Sequence, residues 1–433
     1  MNRSNDAWKK EDAVSLKYYI ANLLVVFGYA RIWPDESFVL CKIFFSTAAT
    51  ATFISANFVL LLSEIAALTM SNSLELFANI IGVICMHAVG LIKWCYCINK
   101  KREVVDLVMK LEKCHVLCQR IDRSERGSQI FANEMEYARR YSSFFIWWWL
   151  CTCIYGVLHW CANPLVLKSG TPGQINSTIH TFTERGLPFI AWYPMNTNDN
   201  YNYICLYLLQ VIGGLSSALG IVCYDAFYIT MLIIICTQFQ YINTILTTDP
   251  DNVSKAQFIL ERKLRNCVDC HTEIIEFLQM LQTFMGPTMF VQCIETLVII
   301  CLVSFEASTI KIAMDMESIL KLWALFEYFL CASVQLFSFC FSATRLQYLG
   351  LQVAYSVFSC GWELEKGGQW SSEKQLKHRD TARLVQTITL QAQRPIVLTG
   401  GPFYTLSLET FRAIISMAIS NSVMLRTISD ENI

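Results

Sequence analysis

Charged residues are scarce in this chain of 433 residues. Asp, Glu, Lys and Arg make up 16% of it, whereas about a quarter is typical of soluble globular domains. Hydrophobic residues reach 54% and aromatic residues 13%. This composition argues against a soluble protein and indicates a chain that crosses a membrane several times.

A surplus of positive charge is also lacking. The formal net charge is -1, so nothing in the composition directs the chain to nucleic acid. The sequence contains no Gly-x-Ser-x-Gly, no phosphate-binding glycine loop ending in Lys-Ser/Thr and no His-Glu-x-x-His. We therefore expect a protein that is not an enzyme and that uses neither a cofactor nor a metal ion.

The 19 cysteines lie mostly inside apolar runs, where Cys serves as a small hydrophobic residue. Cys161 and Cys205 flank a predicted outer loop and are the one candidate disulfide. Residues 267–271 match the haem-attachment pattern C-x-x-C-H. We reject that interpretation because the motif lies in a charged, helical segment on the predicted cytoplasmic side.

Seven apolar runs have about the 20 residues that one membrane crossing needs. The fourth run is too long for a single crossing, so its helix should continue into the adjacent aqueous compartment, leaving the bilayer near Asp225. The predicted spans are residues 38–62, 74–98, 143–167, 203–236, 286–308, 319–343 and 402–426.

Lys and Arg fall almost entirely on one side of these spans. The N-terminal segment and the loops 99–142, 237–285 and 344–401 carry about 26 of them, and the other loops carry only Lys168, Arg185 and Lys311. The N-terminus, which has no signal peptide pattern, is therefore predicted to be cytoplasmic and the C-terminus extracellular. The fold class is all-α, a single seven-span membrane domain over residues 1–433.

Helical patterns also occur outside the spans, in residues 99–142, 237–285 and 380–398. We expect these segments to form a cytoplasmic anchor below the membrane. Residues 380–398 and the last span should form one helix in two pieces, broken at Pro395 and at Gly400-Gly401-Pro402. Residues 361–379 are expected to be a mobile linker.

The last span is polar on one side. At helical spacing, Glu409, Arg412, Ser416, Ser420, Val423, Met424 and Thr427 share one face. In a membrane such a face must turn toward other helices or a water-filled path.

Aromatic and sulfur-containing residues are concentrated in the outer halves of spans two, three, four and six. The interfacial aromatic belt explains some of them, and ordinary packing is the alternative for the deeper ones. A mostly apolar cavity would suit a small lipophilic ligand. The predicted lining is Met86, His87, Trp149, Cys153, Tyr155, Tyr207, Val211, Trp323 and Phe326.

The embedded ionisable residues are expected to pair with one another or to extend to the interface. Lys93, at the cytoplasmic end of span two, should extend to the interface. His87 and His159 are more readily explained as hydrogen-bonded core residues than as ligand contacts. In the outer loop 168–202, Asn176-Ser177-Thr178 predicts N-glycosylation at Asn176, whereas the sequon at Asn252 lies inside and should stay unmodified.

The C-terminal runs Tyr404–Phe411, Ile414–Ser416 and Met424–Arg426 resemble the C-terminal signature of insect odorant receptors. The run 418–422 departs from the family's usual Ser-Tyr-Ser or Tyr-Phe pattern. The chain lacks the enlarged second cytoplasmic loop of the shared co-receptor, Orco, and so resembles an odour-tuning subunit.

The resemblance implies a subunit of a tetrameric, odorant-gated, non-selective cation channel that assembles with Orco in the ciliary or dendritic membrane of olfactory neurons. The last helix would line the pore. By this resemblance the hydrophobic gate lies at Val423 and Met424, with Ser416, Ser420 and Thr427 as wetted lining. A gustatory-type cation channel is the alternative, and a metabotropic receptor or a transporter fits less well because span three lacks Asp-Arg-Tyr and no inverted repeat is found.

Overall fold

The computed structural model describes residues 14–33, 40–71, 73–167, 186–197, 199–247, 256–310, 316–362, 372–402 and 404–431. Within them the helices are α1 (Leu16–Tyr19), α2 (Ala21–Tyr29), α3 (Leu40–Leu68), α4 (Leu74–Asn99), α5 (Lys101–Gln119), α6 (Glu125–Leu167), α7 (Asn200–Thr247), α8 (Ala256–Thr309), α9 (Met316–Phe358), α10 (Ser372–Ala392) and α11 (Leu408–Glu431). Two short strands, β1 (Thr399–Gly400) and β2 (Tyr404–Thr405), pair antiparallel between α10 and α11.

Helix α7 forms the centre of the bundle. It has 48 residues, is buried over most of its length and packs against α3, α4, α6 and α9. The apolar residues of α7 lie on every face of the helix, as expected of a helix that has other helices on all sides. At 1.5 Å per residue it is about 72 Å long, more than twice the thickness of a bilayer core.

Small residues allow α7 to lie close against α4. A Cβ atom on Gly90 would lie 2.6 Å from the carbonyl oxygen of Ser217, and one on Gly220 would collide with the carbonyl group of Gly90. Side chains larger than hydrogen would therefore push the two helices apart. Such small-residue contacts are typical of helices that pack inside membranes.

Below this bundle, α5 packs against the first half of α8, and the lower ends of α6, α7 and α9 continue alongside them. The contact between α5 and α8 is rich in ion pairs. Glu273 of α8 forms ion pairs with Lys110 at 2.5 Å and with Lys113 at 2.7 Å, and Lys263 of α8 pairs with Asp122, just after α5, at 2.7 Å. These pairs join segments that are more than 140 residues apart in the sequence.

The expectation of one helix in two pieces around Gly400-Gly401-Pro402 is wrong. Helix α10 ends at Ala392, and the chain then turns through the β1–β2 hairpin before α11 begins at Leu408. Gln282 of α8 holds the hairpin, donating to the carbonyl oxygen of Thr399 at 2.8 Å and accepting from its N–H at 3.0 Å. Gly401 occupies the left-handed region at φ 71°, which favours glycine.

The predicted linker 361–379 is partly helical, since α10 begins at Ser372, and residues 363–371 lie outside the described residues. Six described helices, α3, α4 and α6 to α9, contain an apolar stretch long enough to cross a membrane. Helix α11 is not among them because polar residues interrupt its apolar sequence. Its 24 residues would nevertheless extend about 36 Å, enough for one crossing.

Candidate functional site

A cavity of about 120 Å³ lies among α4, α6, α7, α8 and α9. A dry cavity of about 150 Å³ holds benzene, so this one suits a molecule of similar size. Its walls are mostly apolar. The lining is Val83, Met86, Trp149, Thr152, Cys153, Gly156, Val157, Trp160, Phe189, Ala218, Ile221, Glu295, Ile299, Ala324, Glu327, Tyr328, Cys331, Ala332 and Gln335.

The structure places three of the predicted pocket residues, Met86, Trp149 and Cys153, in this lining. Val211 packs half-buried in the apolar cluster beside the cavity and does not line it. Tyr207 lies outside the lining as well, with its hydroxyl donating to the carbonyl oxygen of Cys161 at 2.5 Å.

The placement of Tyr155, Trp323 and Phe326 in the pocket is wrong. Their side chains are 55%, 53% and 54% exposed and lie on the outer surface of the bundle. On α6 the cavity face carries residues three or four apart, such as Cys153, Gly156 and Trp160, and Tyr155 falls off that face. The face of the helix, and not the aromatic character of the residue, decides which side chains reach the cavity.

His87 is a hydrogen-bonded core residue and not part of the lining. Its Nδ1 lies 2.9 Å and 3.0 Å from the two carboxylate oxygens of Glu64, and both side chains are buried. The ring of His87 also meets Phe189 edge to face, with the ring centres 4.7 Å apart. The embedded pair therefore holds α3 and α4 together beside the cavity.

Phe189, which the sequence did not identify, closes the cavity from the segment 186–197. Gln210 of α7 fixes it by accepting from its N–H at 2.8 Å and donating to its carbonyl oxygen at 3.0 Å. Trp160 adds a hydrogen bond to the carbonyl oxygen of Pro188 at 3.0 Å. A loop residue has no periodic pattern that would reveal such a role.

Two carboxyl groups interrupt the apolar wall. Glu327 of α9 pairs through Oε2 with Nδ1 of His159 at 2.9 Å. Glu295 of α8 accepts through Oε2 from Gln292 at 2.5 Å and is 6% exposed. Both residues line the cavity, whereas local sequence patterns indicate only that they lie inside predicted spans.

A polar network lies directly beneath the cavity and joins five helices. Asp225 of α7 accepts from Lys93 of α4 at 2.7 Å, from Trp149 of α6 at 3.2 Å and from Gln335 of α9 at 2.6 Å. Gln292 of α8 extends the network by donating to Gln335 at 3.0 Å. Because Trp149 and Gln335 also line the cavity, a ligand would touch the network directly.

This network corrects the expectation for Lys93. Lys93 does not extend to the interface: its side chain is 1% exposed, and its ammonium group lies 5.2 Å from the centre of the Tyr224 ring. The side chain of Asp225 is equally buried by the ion pair. A charge with a buried partner need not reach the interface.

Cys161 and Cys205 are both free thiols, the first buried and the second exposed. The candidate disulfide between them is therefore not formed. Asn176 and Asn252, the two sequon positions, lie outside the described residues.

One face of α11 holds the helix on the bundle and the other is uncovered. Ile414, Ala418 and Ser422 are buried against α8 and α9. The predicted pore residues share the opposite side: Ser416, Ser420 and Thr427 are exposed, and Val423 and Met424 are 62% and 64% exposed. The polar stripe therefore does not face another helix of the described chain.

The family model described as 7tm Odorant receptor matches residues 73–419, which include every helix of the cavity and the first half of α11. The chain belongs to the 7tm odorant receptor family. As a member of that family with several membrane-length helices, it is a multi-pass membrane protein.

Relatives of this odorant receptor include Odorant receptor 13a of Drosophila melanogaster, 25% identical over 68% of this chain and 68% of that protein. The Odorant receptor coreceptor of Anopheles gambiae is 21% identical over 43% of this chain and 37% of its own length. The solved structure of the insect olfactory receptor OR5 from Machilis hrabei, in complex with eugenol, aligns with a TM-score of 0.72, 15% identity and coverage of 95% of this chain and 99% of that chain. The seven-span helical fold of this odorant receptor is thus the fold of a solved insect olfactory receptor.

Proposed function

We propose that this odorant receptor is the odour-tuning subunit of an odorant-gated, non-selective cation channel. The observation that carries the proposal is the mostly apolar cavity among α4, α6, α7, α8 and α9. Burial in such a cavity favours a small lipophilic molecule, and a few polar groups fix its orientation. The solved structure of a similar olfactory receptor in complex with eugenol supports a small-molecule ligand.

The pore of the channel is formed by α11 from each of four subunits. The uncovered stripe of Ser416, Ser420 and Thr427 supplies the wetted surface, and Val423 and Met424 form the gate. Apolar side chains that converge on an axis stop ions because the narrow passage loses its water. Displacement of the four helices by a few ångströms would readmit water and cations.

Ligand and gate are coupled through α8 and α9. Both helices line the cavity, and both hold the buried face of α11 through the cluster around Ala418. A ligand opens the channel only by binding the open form more tightly than the closed form. A shift of α8 or α9 against the cavity provides that difference and carries it to α11.

The partner is a co-receptor of the Orco type, a choice supported by the likeness to the Anopheles gambiae coreceptor and by the closer likeness to Odorant receptor 13a. The assembly lies in the ciliary or dendritic membrane of an olfactory neuron, in contact with membrane lipid. It conducts cations, has no enzymatic activity and does not bind nucleic acid.

The test is whole-cell current during a broad panel of volatile compounds, in cells that express this chain alone or together with the co-receptor. The proposal expects odour-evoked cation current only from the pair. Current from this chain alone would assign a self-sufficient channel and contradict the role of a tuning subunit. Surface expression, read from the glycan at Asn176, is the control for silent cells.

A further inference from the structure

The cavity holds carboxyl groups without a cation of its own. Glu295 and Glu327 line it, and none of the lining residues in the described part of the chain is Lys or Arg. The cation beneath it, Lys93, is already bound to Asp225 at 2.7 Å. The lining therefore carries acidic side chains and no basic ones, which favours ligands with a positive charge or a hydrogen-bond donor.

One carboxylate oxygen of Glu327 accepts no hydrogen bond from the described residues. Oε2 is held by His159, but Oε1 is buried and has no hydrogen-bond partner among the described residues. A buried acceptor without a partner is costly, so such an atom calls for a donor from a ligand or water.

Gly156 gives a ligand access to this oxygen. A Cβ atom at Gly156 would lie 3.2 Å from Oε1 of Glu327, so any side chain there would crowd the oxygen. The hydrogen atom of glycine leaves that space as part of the cavity wall. Because α6 carries glycine at this position, Oε1 of Glu327 is accessible from the cavity.

The remaining lining suits an apolar body. The rings of Trp149, Phe189 and Tyr328 surround the space, and the hydroxyl of Tyr328 is occupied by the carbonyl oxygen of Gly82 at 3.0 Å. Aromatic faces also attract an ammonium group. A molecule that carries one amino group on a small apolar skeleton would satisfy both the rings and Glu327.

We propose that the ligands of this receptor are small amines, with the amino group donating to Oε1 of Glu327 and the apolar part packed against Trp149 and Tyr328. Glu295 of α8 lines the same cavity and adds a second carboxyl group to it. The inference rests on the proposed function, since it names the ligand class of the same cavity. Carboxylates of the same size are disfavoured because they offer no donor to Oε1 of Glu327 and are repelled by its charge.

The test compares benzylamine, benzyl alcohol and toluene, which share one skeleton. Binding to the purified full-length chain in detergent is measured by quenching of tryptophan fluorescence, because Trp149 and Trp160 line the cavity. The proposal expects benzylamine to bind at least tenfold more tightly than toluene and than benzyl alcohol. Equal binding of benzyl alcohol and benzylamine would overturn it, because a neutral donor would then suffice.

Two variants locate the site. Glu327→Gln should abolish the advantage of benzylamine and leave toluene binding unchanged. Gly156→Ala, which keeps the carboxylate and crowds Oε1, should reduce the same advantage. The control is Glu103→Gln, an exposed carboxylate paired with Lys100 on α5, which should change nothing. Equal weakening of benzylamine and toluene by both cavity variants would overturn the assignment to Glu327.

Binding and current separate this inference from the function on which it rests. If benzylamine binds with the expected preference and no volatile compound evokes current from the pair, the channel proposal fails and the ligand class stands. If other volatile compounds evoke current while benzylamine neither binds nor evokes it, the ligand class is overturned and the channel proposal stands.

Discussion

Nζ of Lys93 and Oδ1 of Asp225 lie 2.7 Å apart in the interior of the bundle, and each side chain is 1% exposed. The pair connects α4 to α7, and Gln335 and Trp149 extend it to α9 and α6. Because these last two residues also line the cavity, a buried ion pair lies one hydrogen bond from a bound ligand.

Removal of either charge should strongly destabilise the protein. Asp225→Asn or Lys93→Met leaves one buried charge unpaired, and such changes cost about 3–5 kcal/mol. The double variant should recover much of that loss because no unpaired charge remains. Thermal unfolding in detergent measures the effect, with Lys100→Met, which breaks an exposed pair with Glu103, as the control expected to cost under about 1 kcal/mol. Single variants no worse than this control would contradict the account.

The hairpin before α11 should depend on Gly401. Gly401→Ala places a Cβ 2.7 Å from Cβ of Phe290 in a backbone conformation with φ 71°, at a cost of about 1–3 kcal/mol for the backbone alone. Gly28→Ala is the control, because that position is open and lies within helix α2, where alanine is the better residue. In thermal unfolding followed by circular dichroism, the melting temperature of Gly401→Ala should lie below that of the wild type and that of Gly28→Ala above it. A melting temperature of Gly401→Ala equal to that of the wild type would contradict this role of Gly401.

Stability should fall in mild acid through His115 on α5. Burial lowers the pKa of this imidazole to about 4, against a smaller opposite effect of its hydrogen bond to the carbonyl oxygen of Val14. The folded pKa lies below the unfolded value near 6.5, so the folded state binds fewer protons between these values. The contribution of neutral, buried His115 to the free energy of unfolding is complete above about pH 6.5. It is lost as the pH falls toward 4, at up to about 1.4 kcal/mol per pH unit.

The corresponding measurement is the melting temperature of the wild type and of His115→Gln between pH 4 and 7.5. Glutamine keeps a donor for Val14 and does not titrate. The variant should show a shallower loss of stability over this range. Parallel curves for the two proteins would show that His115 does not titrate on unfolding.

The uncovered face of α11 should control conduction and not ligand preference. Met424→Ala shortens one side chain of the proposed gate, so channels with the co-receptor should show raised basal current, while the ranking of odorants is kept. Met70→Ala is the matched control, since Met70 is 45% exposed and lies in the turn just after α3. A changed ranking with unchanged basal current would contradict the proposed division between cavity and pore.

The predicted topology has an internal control in the two sequons. Asn176→Gln should remove an endoglycosidase-sensitive mass shift of the protein from cells, and Asn252→Gln should leave the shift unchanged. A shift that depends on Asn252 would place loop 237–285 outside and reverse the orientation.

Local sequence patterns predicted the helices well, because long apolar runs and a one-sided polar stripe are properties of consecutive residues. The stripe from Ser416 to Thr427 is exposed together, as its helical spacing required. The faces of the longer helices were less predictable. Tyr155 and Phe326 differ from true lining residues such as Cys153 and Tyr328 only in helical phase.

Contacts between residues that are distant in the sequence could not be predicted from local patterns. The sequence around Lys93 is that of a helix end, and only the fold brings Asp225, 132 positions away, into contact with it. Phe189 reaches the cavity through a loop that Gln210 holds. The turn at Gly401 was recognised as a break, but its hairpin depends on Gln282 of another helix.

The central claim is that a ligand in the cavity opens the channel, and a blocked cavity tests it most directly. Ala324→Phe fills space at the wall, since Ala324 is buried and lines the cavity, and Ala162→Phe makes the same change at an exposed position of α6. Odour-evoked current is measured in cells that express each variant with the co-receptor and carry equal amounts at the surface. We expect current from the wild type and Ala162→Phe and none from Ala324→Phe. An unchanged dose–response curve for Ala324→Phe would contradict the claim.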